Sequence, residues 1–292
     1  MNRDALVTVG VADVRREPNG ASELVTQALL DTPVTILEQQ ADWLRCRLPD
    51  YEGWIEAANL ATPADIAAWQ RDPLVVVTVP IGRVHQEPTS RAALVTPVFL
   101  STVLRQTGAS ENGGWHQVLL PDGRSGWLPK GQAEERPAHS LFPRGDAAAI
   151  MATARRLMDA PYLWGGLTPL GFDCSGFVQI VYRCNGYVIP RDADQQLAAD
   201  IGQRVERSEL QPGDLVFFGE RGDIGHVGLY LGGGEYIHCN GRDMRVAVNS
   251  FDPASPRYRA DLDKSFAGAR RIAPGATHLR SASHLEHDAD AR

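Results

Sequence analysis

Apolar and polar positions alternate in short runs through roughly the first 130 residues, a period of two that predicts β-strands. WLRCRL (43–48) and WHQVLL (115–120) alternate in this way, and VTILEQ (34–39) and TVLRQT (102–107) are rich in β-formers. Pro49-Asp50 and Pro121-Asp122-Gly123 are turn signals between them. Beyond residue 145 the pattern changes. DAAAIMATARRLMDA (146–160) has helical apolar spacing behind an Asp, and the run FVQIVY continues at helical length to Gly186. The stretches 209–218, 224–232 and 232–241 read as strands separated by Pro-Gly and Gly-Gly-Gly turns. The C-terminal half is therefore expected to be α+β. Helices at 146–159 and 174–185, with a helical stretch near 192–200, would pack on an antiparallel sheet built from 214–272. Its last strand would be KSFAGARRIA (264–273), with Arg270 and Arg271 exposed.

The N-terminal half repeats itself. VRREP, LVT and WLRCRLPDYEGWI recur as VHQEP, LVT and WHQVLLPDGRSGWL, offset by 70 residues at Val14 and Val84 and by 73 at Trp54 and Trp127. Self-similarity of this length means two copies of one unit. A small closed barrel suits each copy, because closure leaves no exposed strand edge. The "R-x-E-P" opening and "G-W-[IL]" close resemble bacterial SH3-like domains. The resemblance covers 14–60 and 77–132. Residues 62–73 read as a helical connector ending at Pro73, and 133–145 as a Pro- and charge-rich linker. After Pro274 large apolar residues nearly vanish, as in a mobile tail. The domains expected are 1–61, 74–133 and 145–273, with 274–292 as tail.

Composition narrows the function. The 29 Lys and Arg against 36 Asp and Glu give a net charge of −7, which argues against a nucleic-acid partner or an anionic membrane. No apolar run reaches the roughly 20 residues that span a bilayer, and the start MNRDALVTVG has no apolar leader core. Four cysteines (46, 174, 184 and 239) show no C-x-x-C spacing. These features lead to an expectation of a cytoplasmic protein, or an exported one if the start is truncated. The tail histidines 278, 284 and 287 read as a solvated surface rather than a metal site.

Candidate chemistry lies at Cys174. Gly165, Gly166 and Gly171 precede Asp173-Cys174-Ser175-Gly176, which opens the helical run. A thiol at a helix N-terminus meets unpaired N–H groups and positive partial charge, which lower its pKa and can hold an oxyanion. Cys46, Cys184 and Cys239 lack such surroundings and read as structural. A thiol nucleophile needs a base, and the base needs an orienter. His226 and His238 stand 12 residues apart across one Gly-turn hairpin, a spacing that can bring them side by side. A zinc site from His226, His238 and Cys239 is disfavoured, because it lacks an evident fourth ligand and neighbouring strand residues face opposite ways.

The motifs P-Y-x-W-G-G…D-C-S-G-F, R-D-x-x-x-Q, P-G-D-L-V-F-F, G-H-V-G-[IL]-Y-L-G and I-H, in that order over 146–272, resemble the NlpC-type cysteine peptidases of peptidoglycan stem peptides. The resemblance implies a papain-like fold with no metal or cofactor. It also implies Cys174 as nucleophile, His226 as base and acid, and His238 as the third polar residue. Tyr162 matches a tyrosine beside the nucleophile, and Asp173 and Ser175 match positions lining the substrate groove. With two SH3-like units ahead, the arrangement is similar to γ-D-glutamyl-L-diamino-acid endopeptidases of murein recycling. In those, the first barrel closes the cleft beyond a free N-terminal L-Ala. The partners implied are peptidoglycan stem peptide fragments. Asp192 matches the carboxylate that pairs with the amine, and Tyr51 a barrel tyrosine assisting it; Ala193 replaces a serine found in some relatives. The thiol is expected well below its free pKa of about 8.5. Two alternatives stand beside this reading: an amidase or acyltransferase using the same dyad, and a non-catalytic wall-binding protein.

Overall fold

The computed structural model describes residues 3–62, 69, 73–107, 113–220 and 223–272. It divides into two compact units. One comprises the chain up to Glu23 with Ala28–Leu141; the other comprises Leu24–Gln27 with the chain from Phe142. The connector expected at 62–73 and the tail after 273 lie almost wholly outside the described residues.

The first unit shows the duplication as topology. Strands β1 (Arg3–Val7), β2 (Val11–Arg15), β3 (Leu24–Leu29), β4 (Pro33–Gln40), β5 (Trp43–Arg47), β6 (Glu52–Glu56) and β7 (Leu60–Ala61) form a sheet ordered β3-β2-β6-β5-β4-β1-β7. The second sheet contains β8 (Leu74–Val77), β9 (Ile81–His85), β10 (Leu94–Phe99), β11 (Val103–Gln106), β12 (Trp115–Leu119), β13 (Ser125–Pro129) and β14 (Ala133–Arg136). Its order, β10-β9-β13-β12-β11-β8-β14, is the same order seven strands on. The second sheet runs to Arg136, three residues past the expected boundary. Its core joins Val75, Val77, Val84, Val98, Leu104, Val118 and Leu128, and Leu30 of the first copy packs into the same cluster. Even the tight turns correspond. Asp31 (φ 69°) and Ser101 (φ 73°) hold the same left-handed position, their N–H groups donating to Val7 and Val77 carbonyls respectively.

The second unit combines helices with an antiparallel sheet. Helix α1 (Ala147–Arg155) is capped by Asp146, whose carboxylate accepts from Ala149 N–H. A two-stranded hairpin, β15 (Leu167–Thr168) and β16 (Gly171–Phe172), leads into α2 (Cys174–Cys184). Then follow α3 (Ala193–Ala198), β17 (Gln203–Val205), β18 (Leu215–Glu220), β19 (Asp223–Gly232), β20 (Glu235–Asn240), β21 (Arg245–Ser250), α4 (Ala260–Lys264) and β22 (Phe266–Arg271). The six strands run β17-β22-β18-β19-β20-β21. Residues 174–182 are buried without a break, so α2 is a central helix with no solvent face.

Three expectations change. β17 precedes the predicted start of the sheet, and it pairs with β22 through Gln203↔Arg271. Arg270 is buried rather than exposed, its Nε donating to the Leu197 carbonyl at 2.6 Å. Arg271 is held by both carboxylate oxygens of buried Asp214. Each guanidinium finds a fixed acceptor, which is what permits an arginine pair on an inner strand. Among the described residues no helix is long and apolar enough to cross a membrane.

Candidate active site

Cys174 is the first residue of α2 and is 9% exposed. Asp173 caps the helix: its Oδ1 accepts from Gly176 N–H at 2.7 Å. Gly176 has to be glycine, since a Cβ there would lie 2.3 Å from the Gly166 carbonyl. The sulfur lies against β19, 4.0 Å from the Gly225 carbonyl and near the Val227 N–H, so it faces the backbone on both sides of His226.

The two histidines meet as their spacing suggested. His226 Nε2 and His238 Nδ1 are 2.6 Å apart, and His238 Nε2 is 2.7 Å from Asn249 Oδ1. Gly228 makes this contact possible, because a Cβ at that position would crowd the His238 Cβ at 3.1 Å. Asn249 fixes the tautomer. Its Nδ2 donates to the Arg257 carbonyl, which aims Oδ1 at His238. Nε2 of His238 then carries the proton and donates to it. His238 Nδ1 accepts from His226 Nε2–H, and His226 Nδ1 is left with a free lone pair. Asn240 Nδ2 lies 3.1 Å from the same His238 nitrogen, and the shorter contact to an oxygen decides the proton's place. Burial holds His226 well below the ordinary imidazole value and His238 down at about 4, so both rings rest neutral.

The thiol departs from the sequence expectation. Burial pushes Cys174 up to about 12, and the Asp173 charge adds to the rise; N–H donation from Val227 and Ser175 and the Arg191 charge pull against it. The helix N-terminus does favour the thiolate, but desolvation of a nearly enclosed sulfur outweighs it. The resting site is a neutral thiol and a neutral imidazole. Tyr162 is raised to about 12, by burial first and then by the neighbouring Cys174, which places its phenol within electrostatic reach of the sulfur.

Asp173 and Ser175 are not open groove residues. Both are buried, and both serve Arg191, which is 0% exposed. Arg191 Nη1 donates to Asp173 Oδ1 at 3.0 Å and to Ser175 Oγ at 2.8 Å, and Nη2 donates to Asp173 Oδ2 at 2.7 Å. Asp173 Oδ2 also accepts from Gly165 N–H. A carboxylate so enclosed needs this cation, which explains why neither side chain faces solvent. Asp192 stands at the N-terminus of α3, half-buried, with its carboxylate accepting from Gln195 Nε2 at 3.3 Å and making no backbone cap. Tyr51 belongs to the other compact unit, in the turn between β5 and β6, where its carbonyl accepts from Leu48 N–H. Cys239 turns its thiol to the Phe172 carbonyl at 3.1 Å. Arg191, Asn249 and Asn240 are the site residues that the sequence reading missed. An asparagine inside the strand RVAVNS was the available signal, since asparagine is depleted from strands unless it has a partner.

Comparison with known proteins agrees with this geometry. Residues 159–262 match the NlpC/P60 family, and residues 14–60 match the bacterial dipeptidyl-peptidase SH3 domain. The chain is 30% identical over 266 residues to a gamma-D-glutamyl-L-lysine dipeptidyl-peptidase of Bacillus cereus, covering 87% of this chain and 77% of that one. It is 32% identical to dipeptidyl-peptidase 6 of Lysinibacillus sphaericus, covering 89% of this chain and 96% of the relative. A crystal structure of an NlpC/P60 family protein from Bacillus cereus superposes with a TM-score of 0.81 at 27% identity, over 93% of this chain and all of that one.

Proposed function

The chain belongs to the NlpC/P60 family and is a cysteine peptidase, and from that premise we propose that it cleaves the γ-D-glutamyl–diamino-acid bond of peptidoglycan-derived stem peptides bearing a free N-terminal L-Ala. The observation that carries the reading is the Asn249–His238–His226 relay, which leaves a bare ring nitrogen at the strand facing the Cys174 sulfur. The dipeptidyl-peptidase names of the relatives support a two-residue unit leaving from a free amino end.

The chemistry follows from the neutral resting pair. As the sulfur attacks the γ-carbonyl carbon, the thiol proton passes to His226 Nδ1 and an S–C bond forms. The Ser175 and Val227 N–H groups already directed at the sulfur show how richly donors are supplied there, and the Cys174 N–H at the helix start, with the Tyr162 hydroxyl, serves the oxyanion. The C–N bond then breaks, and His226 gives its proton to the departing amine. Water yields a proton to His226 as its oxygen adds to the thioester carbon; the C–S bond then breaks, His226 returns the proton to the sulfur, and the product leaves with a free γ-carboxyl group. His238 keeps the imidazole in its tautomer and shares the charge when it forms. No step draws on a metal or cofactor.

Asp192 is the carboxylate we assign to the substrate ammonium. An acylated stem peptide has no ammonium to offer, so it would leave the Asp192 carboxylate without its cation and bring a larger group to that end of the cleft, and the stem peptides of intact wall would be rejected. That selectivity fits an enzyme of murein recycling in the cytoplasm, acting on fragments already released. The second sheet, with its identical strand order, is read as a second SH3-like copy.

The test is hydrolysis of L-Ala-γ-D-Glu-L-Lys and its N-acetyl form, followed by mass spectrometry. The free peptide should be cut at the γ-bond, and the acetylated one at least about 10³-fold more slowly. Cys174→Ala should abolish turnover. Equal cutting of both peptides removes the free-amine reading; transfer to an added amine in preference to water would make the enzyme an acyltransferase.

A further inference from the structure

Leu24–Gln27, although part of the first repeat, folds with the C-terminal unit, and all four residues are buried. Thr26 Oγ1 accepts from Arg191 Nε at 2.8 Å, and Gln27 Oε1 accepts from Leu167 N–H at 3.0 Å. The Leu24 carbonyl packs so closely on Gly165 that a Cβ there would lie 2.4 Å from it. These contacts reach two things: the loop that precedes the nucleophile, and the guanidinium that holds its helix cap. The matching LVTP segment of the second repeat makes different contacts: its Pro97 carbonyl packs on Gly10 of the first repeat, where a Cβ would lie 2.4 Å from it, and its Val95 carbonyl accepts from Arg124 Nη1. Leu94 is 49% exposed, Thr96 donates its hydroxyl to the Pro97 carbonyl, and Pro97 has no side-chain acceptor where Gln27 has one.

We propose that Thr26 and Gln27 are positioning residues for the nucleophile, fixing the Arg191 fork and the 163–168 loop and, through Asp173, the start of the helix that bears Cys174. The inference rests on the reading of Cys174 as nucleophile. The path is short and made of buried polar groups. Arg191 gives Nε–H to Thr26 and its two terminal nitrogens to Asp173 and Ser175, so Thr26 sets the rotation of the fork. Asp173 spans the fork, the Gly165 N–H and the first turn of α2. Gln27 pins the far end of the same loop. Buried polar networks of this kind hold one geometry while complete and lose it when a member is removed.

The experiment uses full-length Thr26→Val, Thr26→Ser, Gln27→Met and Thr96→Val. Two readouts are taken: iodoacetamide alkylation of the Cys174 peptide as a function of pH, and kcat and KM on L-Ala-γ-D-Glu-L-Lys. Thr26→Val and Gln27→Met should slow alkylation and kcat about tenfold, the size of one lost buried hydrogen bond, with KM changed less than about twofold. The alkylation midpoint of Thr26→Val should move up. The titratable groups around the sulfur are Asp173, Arg191, Tyr162 and Cys239, with His226 on the strand the sulfur lies against; Thr26 bonds Arg191 directly, so its loss first frees the charge that favours the thiolate. Thr26→Ser, which keeps the hydroxyl, and Thr96→Val should match the parent. A folded Thr26→Val with parental alkylation rate and pH profile overturns the proposal, as does a Thr26→Ser that is as slow as the valine variant. Should Thr26→Val not fold, Gln27→Met decides the matter alone by the same rates. If the parent leaves the tripeptide intact while alkylation still responds to Thr26 and Gln27, the substrate reading fails and the positioning role stands.

Discussion

The two repeats share strand order, turn positions and the sequence LVT, yet they have become different objects. In the first, Thr26 and Gln27 satisfy buried donors of the peptidase unit; in the second, the Thr96 hydroxyl donates to the carbonyl of the next residue, Pro97. At the equivalent left-handed turn the first copy buries a carboxylate, Asp31, and the second a hydroxyl, Ser101. Topology is retained by the apolar alternation that both copies keep. What each copy does is decided by a few polar side chains, and these are free to diverge because the barrel core does not use them.

The largest expected effect comes from removing what the first copy alone attaches to. Arg191→Met leaves the buried Asp173 carboxylate without its cation, and breaking such a pair costs about 3–5 kcal/mol. Urea denaturation followed by fluorescence measures it. A loss under about 1 kcal/mol would mean that the Asp173 site admits water and that the two repeats differ less than the hydrogen bonds suggest. Asp173→Asn placed on top of Arg191→Met should recover part of the loss, because the stranded charge goes with it.

A middle-sized effect separates the LVT segments directly. Thr26→Val should cost about 1–3 kcal/mol, because it takes the acceptor away from a buried guanidinium N–H. Thr96→Val should cost under about 0.5 kcal/mol, since it leaves at most a carbonyl that keeps its second lone pair. Equal losses would erase the distinction between the copies.

Much of this was legible in the residues. The period-two runs and the 70-residue offset gave both sheets. Gly165 to Gly176 marked a loop entering a helix at Cys174, and the histidine spacing gave the hairpin contact. What was not legible has one physical character: partners brought by long-range folding. Nothing near Arg191 in sequence announces Thr26, 165 residues away, and Asn249 reaches His238 only because β20 and β21 pair. The thiol's direction of shift was missed for a related reason. Local sequence displays the helix N-terminus that lowers a cysteine's pKa, but burial, which raises it more, is a property of the whole unit.

The smallest expected effect tests the turn. Burial raises the Asp31 carboxyl well above the ordinary carboxylate value, although the Trp69 indole and the Arg105 charge pull the other way. The unfolded chain releases this proton near pH 3.9. Between that pH and the higher folded value, the folded state therefore binds more protons, and stability falls as pH rises. Asp31→Ser installs the second copy's residue at the same backbone position and removes the titration. It should stabilise the protein by about 1 kcal/mol or more at pH 8, and by progressively less as the pH is lowered toward 4, where Asp31 takes up its proton in both states. Denaturation curves of parent and variant at pH 5 and pH 8 give the difference. The reciprocal Ser101→Asp should destabilise the second copy with the same pH trend. A pH-independent difference in both variants would show that the turn tolerates the charge, and that the carboxylate in the first copy is hydrated rather than enclosed.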